Sequence, residues 1–471
     1  MNIETWLMVL GGFNIVLTGL VLYLLFGHRA FRNPPEGGLS LVSYNKNDKK
    51  IFQHYRESLI EDLHQMVQNL PKDRLNLALL YIDLDNFKQV NEALGYDIGD
   101  LFLQQIADSL DKLEWQGKRL HRLGGDDFVL LLPAFETEKK ISDIVEAIVT
   151  ILKKGVVLDN HELNISASIG ISIYPRDSLE PKILLKCANV AMYQAKYQGR
   201  NTFAFYNPEM DRKALKRQAL ESYLRKALER DELLVYYQPK VHLSTKKISG
   251  AEALIRWLHP ELGMISPLEF ITLAEQTGLV MPLGSWILKT ACKQTQEWHQ
   301  QGFADFTVAV NLSPYQFKQG DIGGLIAQVL WETGLNPATL ELEITESLLM
   351  ENPEKSLLML RVLRTMGVQV SIDDFGTGYS SLGQLKSLPF QSLKIDQSFV
   401  RNLEIEPESR AIVSTIISMA KQMNLKVIAE GVETVEQQNF LVESHCDYAQ
   451  GYLYGKPMTA HQLFDLLKAQ P

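Results

Sequence analysis

The 471-residue chain has 46% apolar and 22% charged residues, an ordinary globular balance able to bury sizeable cores in two or three folding units. Its net charge of −9, from 47 basic and 56 acidic residues, excludes a general binder of nucleic acid polymers, which would turn a basic face to phosphates. Three cysteines, Cys187, Cys292 and Cys446, are far apart and form no CxxC, which reads as reduced thiols rather than a disulfide framework.

The first element is an uncharged apolar run from Trp6 to Phe26, within an expected anchor at residues 1–27. At ~1.5 Å per residue it is long enough to cross a bilayer core. A cleaved signal peptide is the competing reading, but no basic n-region precedes the run and no small-residue cleavage site follows it. Arg29, Arg32, Lys46, Lys49 and Lys50 follow, so the expectation is a single pass of the inner membrane with the bulk of the chain in the cytoplasm. Residues 28–71 read as a linker, Asn33-Pro34-Pro35-Glu36-Gly37-Gly38, and a helix over Ile51–Leu70.

Residues 72–208 alternate strand and helix patterns. Strands are expected at Asn76–Asp85, Arg119–Leu123, Phe128–Leu132, Ile165–Tyr174 and Thr202–Tyr206, with helices at Asn91–Leu113, Ile141–Lys153 and Ile183–Gln198. With the tight Gly124-Gly125 turn, this is an α+β domain with an antiparallel-containing sheet. Residues 209–230 form a helix that either connects two domains or opens the next.

From 231 to 468 the pattern becomes short apolar runs, each followed by a helical stretch: Leu234–Gln238, Gly250–Ile255, Thr307–Asn311, Leu340–Ile344, Val368–Asp373, Leu393–Ile395, Lys426–Ala429 and Ala449–Tyr452. Eight such units fit a (β/α)8 TIM-like barrel, giving the chain an α/β and α+β multidomain class. Polar residues recur in or at the ends of these runs: Glu252, Asn311, Glu343, Asp373, Asp374, Lys394, Glu430 and Gln450. Strand ends of such a barrel converge on one rim, where packed carboxylates repel unless cations neutralise them. Carboxylates with an amide oxygen suit Mg2+ or Mn2+, and two such ions can activate water and stabilise the leaving oxygen of a phosphodiester. Taken singly, each residue could be an ordinary exposed or capping group.

The ordered blocks Gly250-Ala251-Glu252-Ala253-Leu254-Ile255-Arg256-Trp257, Asn311-Leu312-Ser313, Glu343-Ile344-Thr345-Glu346, Asp373-Asp374-Phe375-Gly376-Thr377-Gly378, Lys394-Ile395-Asp396 and Glu430-Gly431-Val432-Glu433 resemble the EAL phosphodiesterase family across Asp211–Leu467. The resemblance implies a homodimer hydrolysing cyclic di-GMP to linear pGpG. It implies that Glu252, Asn311, Glu343 and Asp373 hold one ion, and that Asp373 bridges to a second held with Asp374 and Glu430. Lys394 and Gln450 would order the attacking water, and Gln238, Arg256 and Asp396 would contact substrate. Glu433 would support that contact, and Glu346 would anchor the loop from Phe375 to Ser381.

Arg122-Leu123-Gly124-Gly125-Asp126-Asp127-Phe128, with Asp83-Leu84-Asp85-Asn86-Phe87-Lys88, Asn91 and Gly99-Asp100, resembles the GGDEF motif set of diguanylate cyclases. The resemblance places Mg-GTP on Asp83, Asn91, Asp100, Asp126 and Asp127. The pattern departs at Asp127 (usually Glu), Glu92, Tyr96 and Asn189, and at Trp115 and Lys118, where the inhibitory Arg-x-x-Asp site would stand. A shortened acid can cost roughly 100-fold where geometry matters, which favours a GTP-binding regulator over an active cyclase. A bifunctional cyclase/phosphodiesterase, a purely structural first domain and a non-catalytic cyclic di-GMP receptor are the alternatives.

Overall fold

The computed structural model describes residues 46–71, 76–158, 161–376 and 388–470. The chain divides into two compact units, 1–212 and 213–471.

The first unit runs α1 (Lys46–Gln68), β1 (Leu77–Leu84), α2 (Phe87–Leu94), α3 (Tyr96–Asp111), β2 (Arg119–Gly124), β3 (Asp127–Pro133), α4 (Glu138–Lys153), β4 (Val156–Leu158), β5 (His161–Leu163), β6 (Ala167–Tyr174), α5 (Pro181–Tyr197) and β7 (Phe203–Phe205). Its sheet has the order β2-β3-β1-β6-β7, with β1 antiparallel to both neighbours. The near-continuous apolar run of β1 has a direct cause: both faces are covered. Ala78, Leu80, Ile82 and Leu84 join one core with Phe102 and Ile106 of α3 and Ile141 and Val145 of α4. Leu77, Leu79 and Tyr81 join another with Leu59 and Leu63 of α1 and Leu184 and Ala188 of α5. The single helix expected over Asn91–Leu113 is instead two, broken at Gly95, whose φ of 90° lies outside helical space.

Helix α6 (Pro208–Ala227) crosses the unit boundary. The second unit continues with β8 (Leu233–His242), β9 (Lys247–His259), β10 (Gly263–Ile265), α7 (Pro267–Thr277), α8 (Val280–Gln300), β11 (Thr307–Asn311), α9 (Pro314–Gln319), α10 (Ile322–Thr333), β12 (Leu340–Thr345), α11 (Glu346–Glu351), α12 (Pro353–Thr365) and β13 (Gln369–Phe375). It ends with β14 (Ser392–Ile395), α13 (Gln397–Arg401), α14 (Pro407–Gln422), β15 (Lys426–Ala429), α15 (Val435–Glu443), β16 (Tyr448–Gln450) and α16 (Ala460–Lys468). Strands β9, β11, β12, β13, β14, β15, β16 and β8 pair in that order, and β8 pairs back to β9, closing a barrel. Strand β10 hairpins onto β9 outside the ring.

The expected eight repeats of strand then helix need correction at the first. A short turn joins β8 directly to β9, and β8 runs antiparallel to both β9 and β16, while the other ring pairs are parallel. A hairpin has no helix to insert, so the first run belongs to a reversed strand.

The membrane expectation is also corrected. Among the described residues, no helix is long and apolar enough to cross a membrane, so the inner-membrane placement is withdrawn. The Trp6–Phe26 run itself lies outside the described residues. All three cysteines are buried and free.

Candidate active site

Parallel strands put alternate side chains into the barrel at matching heights. On β12, Glu341 and Glu343 are two residues apart and share the inner face; on β14, Ser392 and Lys394 do the same. The upper level holds the acids of the site. Lys394 Nζ sits among them, 2.6 Å from Glu430, 2.8 Å from Glu343, 3.1 Å from Asp373 and 3.7 Å from Glu252. Gln450 Nε2 donates to Glu252 (2.6 Å) and to Gln238 Oε1 (3.1 Å), and Asn311 Nδ2 donates to Glu252 Oε1 (2.6 Å). The structure therefore brings together Gln238, Glu252, Asn311, Glu343, Asp373, Lys394, Glu430 and Gln450.

Neighbouring residues of a regular strand face opposite sides, yet Asp373 and Asp374 both reach this site. The ladder between β13 and β14 slips between Ile372 and Phe375, and Asp374 takes a left-handed φ of 54°. That combination spends strain of the kind stored at functional positions to re-aim a side chain. Oxygens of Asp373, Asp374 and Glu430 consequently lie within 4.8 Å of one another.

Four carboxylates around one ammonium, with Asp374 beside two of them, leave an excess of negative charge. Burial and the neighbouring Glu252 push the Glu343 carboxyl well above its ordinary range. Burial pushes Glu430 up to about 7 and raises Asp374, which Asp373 raises further. Glu252 is also buried, but the Lys394 charge and the hydrogen bonds from Gln450 and Asn311 outweigh that penalty and hold it low. Burial opposes the charge on Lys394 too, and the surrounding acids overcome it, holding its proton firmly. One oxygen of Glu343 is buried and faces Lys394 in an ion pair at 2.8 Å. Hard oxygen donors and surplus negative charge fit divalent cations of the Mg2+ or Mn2+ type.

The remaining expected residues sit further out. Arg256 is half-buried over the Tyr236 ring (5.6 Å) and feels the charge of Glu252. Asp396 accepts from Ser398 N–H (2.9 Å), capping α13, and shares a hydrogen bond with Asp374. Glu346 accepts from the Gly376 N–H at 2.9 Å, gripping the start of the loop whose residues 377–387 lie outside the described set. Glu433 is exposed, and its side chain contacts no described member of the cluster; its backbone N–H donates to Gln437 at 2.7 Å. Capping boxes at Ser313 and Thr434 fix the rim loops after Asn311 and Glu430.

A lower interior level escaped the sequence reading. Lys240 of β8 pairs with Glu341, whose other oxygen accepts from Ser392 Oγ at 2.8 Å. The available signal was the two-residue spacing of Glu341 and Glu343. Lys240 gave none, because a lysine ending an apolar run reads as a strand leaving the core.

In the first unit, Asp83, Asp126 and Asp127 sense one another's charge beside Lys196, whose Nζ lies 2.6 Å from Asp83. Burial and the Asp83 charge push Asp127 up to about 6, although the Tyr81 side chain hydrogen-bonds to it. Asp85 accepts from Ser166 (2.6 Å), Ser168 (2.7 Å) and Asn201 N–H (3.1 Å), which ties it into the fold. Asn91 packs under Gly99, where a Cβ would lie 1.9 Å from its Oδ1. Asp100 is largely exposed, 3.8 Å from Arg122.

The EAL domain family model matches residues 221–457, and the model described as diguanylate cyclase, GGDEF domain, matches residues 54–202. The chain belongs to the tandem GGDEF–EAL family. This GGDEF–EAL chain is 43% identical over 406 residues to a Pseudomonas aeruginosa protein named bifunctional diguanylate cyclase/cyclic di-GMP phosphodiesterase MucR, covering 86% of the chain and 59% of MucR. It is 38% identical over 388 residues to the Escherichia coli cyclic di-GMP phosphodiesterase PdeR, covering 82% of the chain and 58% of PdeR. The chain thus spans under two thirds of both relatives. Among solved structures, the PaMucR phosphodiesterase in complex with c-di-GMP is 47% identical, with a TM-score of 0.51, and matches 52% of this chain and 99% of that one.

Proposed function

We propose that the GGDEF–EAL chain hydrolyses cyclic di-GMP to linear pGpG at the barrel rim, and that its GGDEF domain is a GTP-binding regulator. The observation that carries the reading is the ring of Glu252, Asn311, Glu343, Asp373, Asp374 and Glu430 around Lys394, on a barrel similar to one solved with c-di-GMP.

Glu252, Asn311, Glu343 and Asp373 would hold one Mg2+ or Mn2+, and Asp373, Asp374 and Glu430 a second. Ions there supply Lewis-acid activation of water and neutralise charge developing on the phosphoryl oxygens. Arg256, a guanidinium suited to bidentate phosphate contact, would orient the diester with Gln238 and Asp396. Gln450 holds the Glu252 carboxylate and Gln238 amide in fixed orientation, and Lys394 maintains a cation among the acids. Glu433 is assigned a supporting role at the substrate edge, and the resemblance implies a working homodimer.

The test incubates the chain with Mg2+ or Mn2+ and cyclic di-GMP and resolves the products chromatographically. Linear pGpG that disappears in Glu252→Ala is expected; tight binding without turnover would refute hydrolysis and favour a receptor. Adding GTP should change the rate or KM. The bifunctional reading is favoured by the name of MucR, and cyclic di-GMP made from GTP alone would establish it.

A further inference from the structure

One layer below the acid cluster, the barrel interior carries polar side chains that the proposed chemistry does not use. Lys240 of β8 forms an ion pair with Glu341 of β12, and the other Glu341 oxygen accepts from Ser392 Oγ of β14 at 2.8 Å. The pair is nearly sealed from solvent, with Lys240 at 7% and Glu341 at 6% exposure. Strands β8, β12 and β14 are not neighbours in the ring, so these contacts run across the interior rather than along a ladder.

A buried ion pair is a poor way to gain stability. Desolvation cancels most of the attraction, and apolar side chains of the same volume do as well or better. What such a pair supplies is direction, because a charge-assisted bond fixes distance and angle while apolar side chains slide over one another. The three strands tied here each carry a site residue one inward-facing step higher. Glu341 lies two residues below Glu343, and Ser392 two residues below Lys394. On the reversed strand β8, the step from Lys240 toward the rim leads to Gln238, which stands opposite Glu252 of β9. That step is about 7 Å of strand. The two levels also sense each other's charge: Lys394 acts on Glu341, and Glu341 acts on Glu343.

We propose that Lys240, Glu341 and Ser392 are positioning residues, a polar strut across the barrel that sets the heights at which Gln238, Glu343 and Lys394 meet. In this role none of the three touches an ion or the diester; they act through the residues above them. The inference rests on the hydrolase reading, which gives those upper residues their work.

The test removes the strut without stranding a charge, as Lys240→Met/Glu341→Met in the full chain. The melting temperature should stay within about 4 °C of wild type, because the pair adds little net stability. The kcat for cyclic di-GMP should fall about 10–100-fold, and Mn2+ alone should bind about tenfold more weakly by titration calorimetry, as when a group orienting a metal ligand is lost. KM should move less than about threefold. Ser392→Ala deletes one hydrogen bond and no charge; it should lower kcat about threefold, and Ser392→Thr, which keeps the hydroxyl, should restore it. A folded double variant with wild-type kcat and Mn2+ affinity would overturn the strut, whatever its melting temperature. Should the double variant not fold, a Ser392→Ala protein with both quantities unchanged would do the same. A wild type that leaves cyclic di-GMP intact would sink the hydrolase reading alone. Mn2+ titration of the same proteins would then decide the strut, and equal binding across them would refute it.

Discussion

Replacing Lys394 by Met, a side chain of similar length, removes the ammonium and little else. At an effective dielectric of about 20, each of its four ionic contacts is a gross attraction of roughly 4–6 kcal/mol. Desolvation of a group only 2% exposed cancels most of that sum. What survives when one side of a buried ion pair is removed is a loss of about 3–5 kcal/mol, because the remaining charges are stranded. The loss depends on pH in a defined direction. Glu343 is held well above its ordinary range and Glu430 at about 7 even with Lys394 present. Acids whose folded pKa is raised stabilise the fold while protonated, and that contribution falls as pH rises through the folded value. Urea denaturation of Lys394→Met in chelator should therefore show the full deficit near pH 8 and a smaller one below about pH 6. Adding Mg2+ or Mn2+ should recover part of it, through binding to the folded state alone. A variant as stable as wild type at pH 8, with no pH trend, would refute the account of the cluster as surplus negative charge held by one cation.

Gln450→Ala removes the donor to Glu252 and Gln238; hydrolysis should fall about 10–100-fold with the melting temperature little changed, as read by a rate assay beside calorimetry. Glu346→Ala should lower kcat about tenfold by releasing Gly376, and Glu346→Gln, which can still accept that N–H, should restore most of it. Gly451→Ala would place a Cβ 2.2 Å from the Val432 carbonyl oxygen, a backbone atom that cannot swing aside, and should cost about 3 kcal/mol in denaturant titration. Asp126→Ala should abolish any effect of GTP on the phosphodiesterase rate; a GTP response that persists would place the nucleotide elsewhere.

Much of the fold was legible because buried strands advertise themselves. Thr307–Asn311 and Lys426–Ala429 coincide with β11 and β15, and their polar terminal or following residues, Asn311 and Glu430, mark the rim. The reversal of β8 was not legible, since strand direction leaves no trace in a two-residue period and the Ser244-Thr245-Lys246 turn lacks a strong hairpin dipeptide. Burial of Lys240 follows only from ring closure, which sets it opposite Glu341. Glu433 marks the converse limit: it is exposed, and a motif position does not fix which way a side chain turns.

The reversed first strand also decides where the barrel takes in the preceding chain. Leu233 pairs with Trp257 near the C-terminal end of β9, so β8 starts at the height of the rim that holds the acid cluster and descends toward the floor. A ring of eight co-directional strands would admit its first strand from below, with the full height of the wall between entry and chemistry. Here α6 is clamped through Leu220, Leu224 and Ala227 onto Trp257 and Phe270, and hands the chain to the strand that carries Gln238. A pull or twist on that helix has a lever arm of less than one strand to the edge that holds the acid cluster.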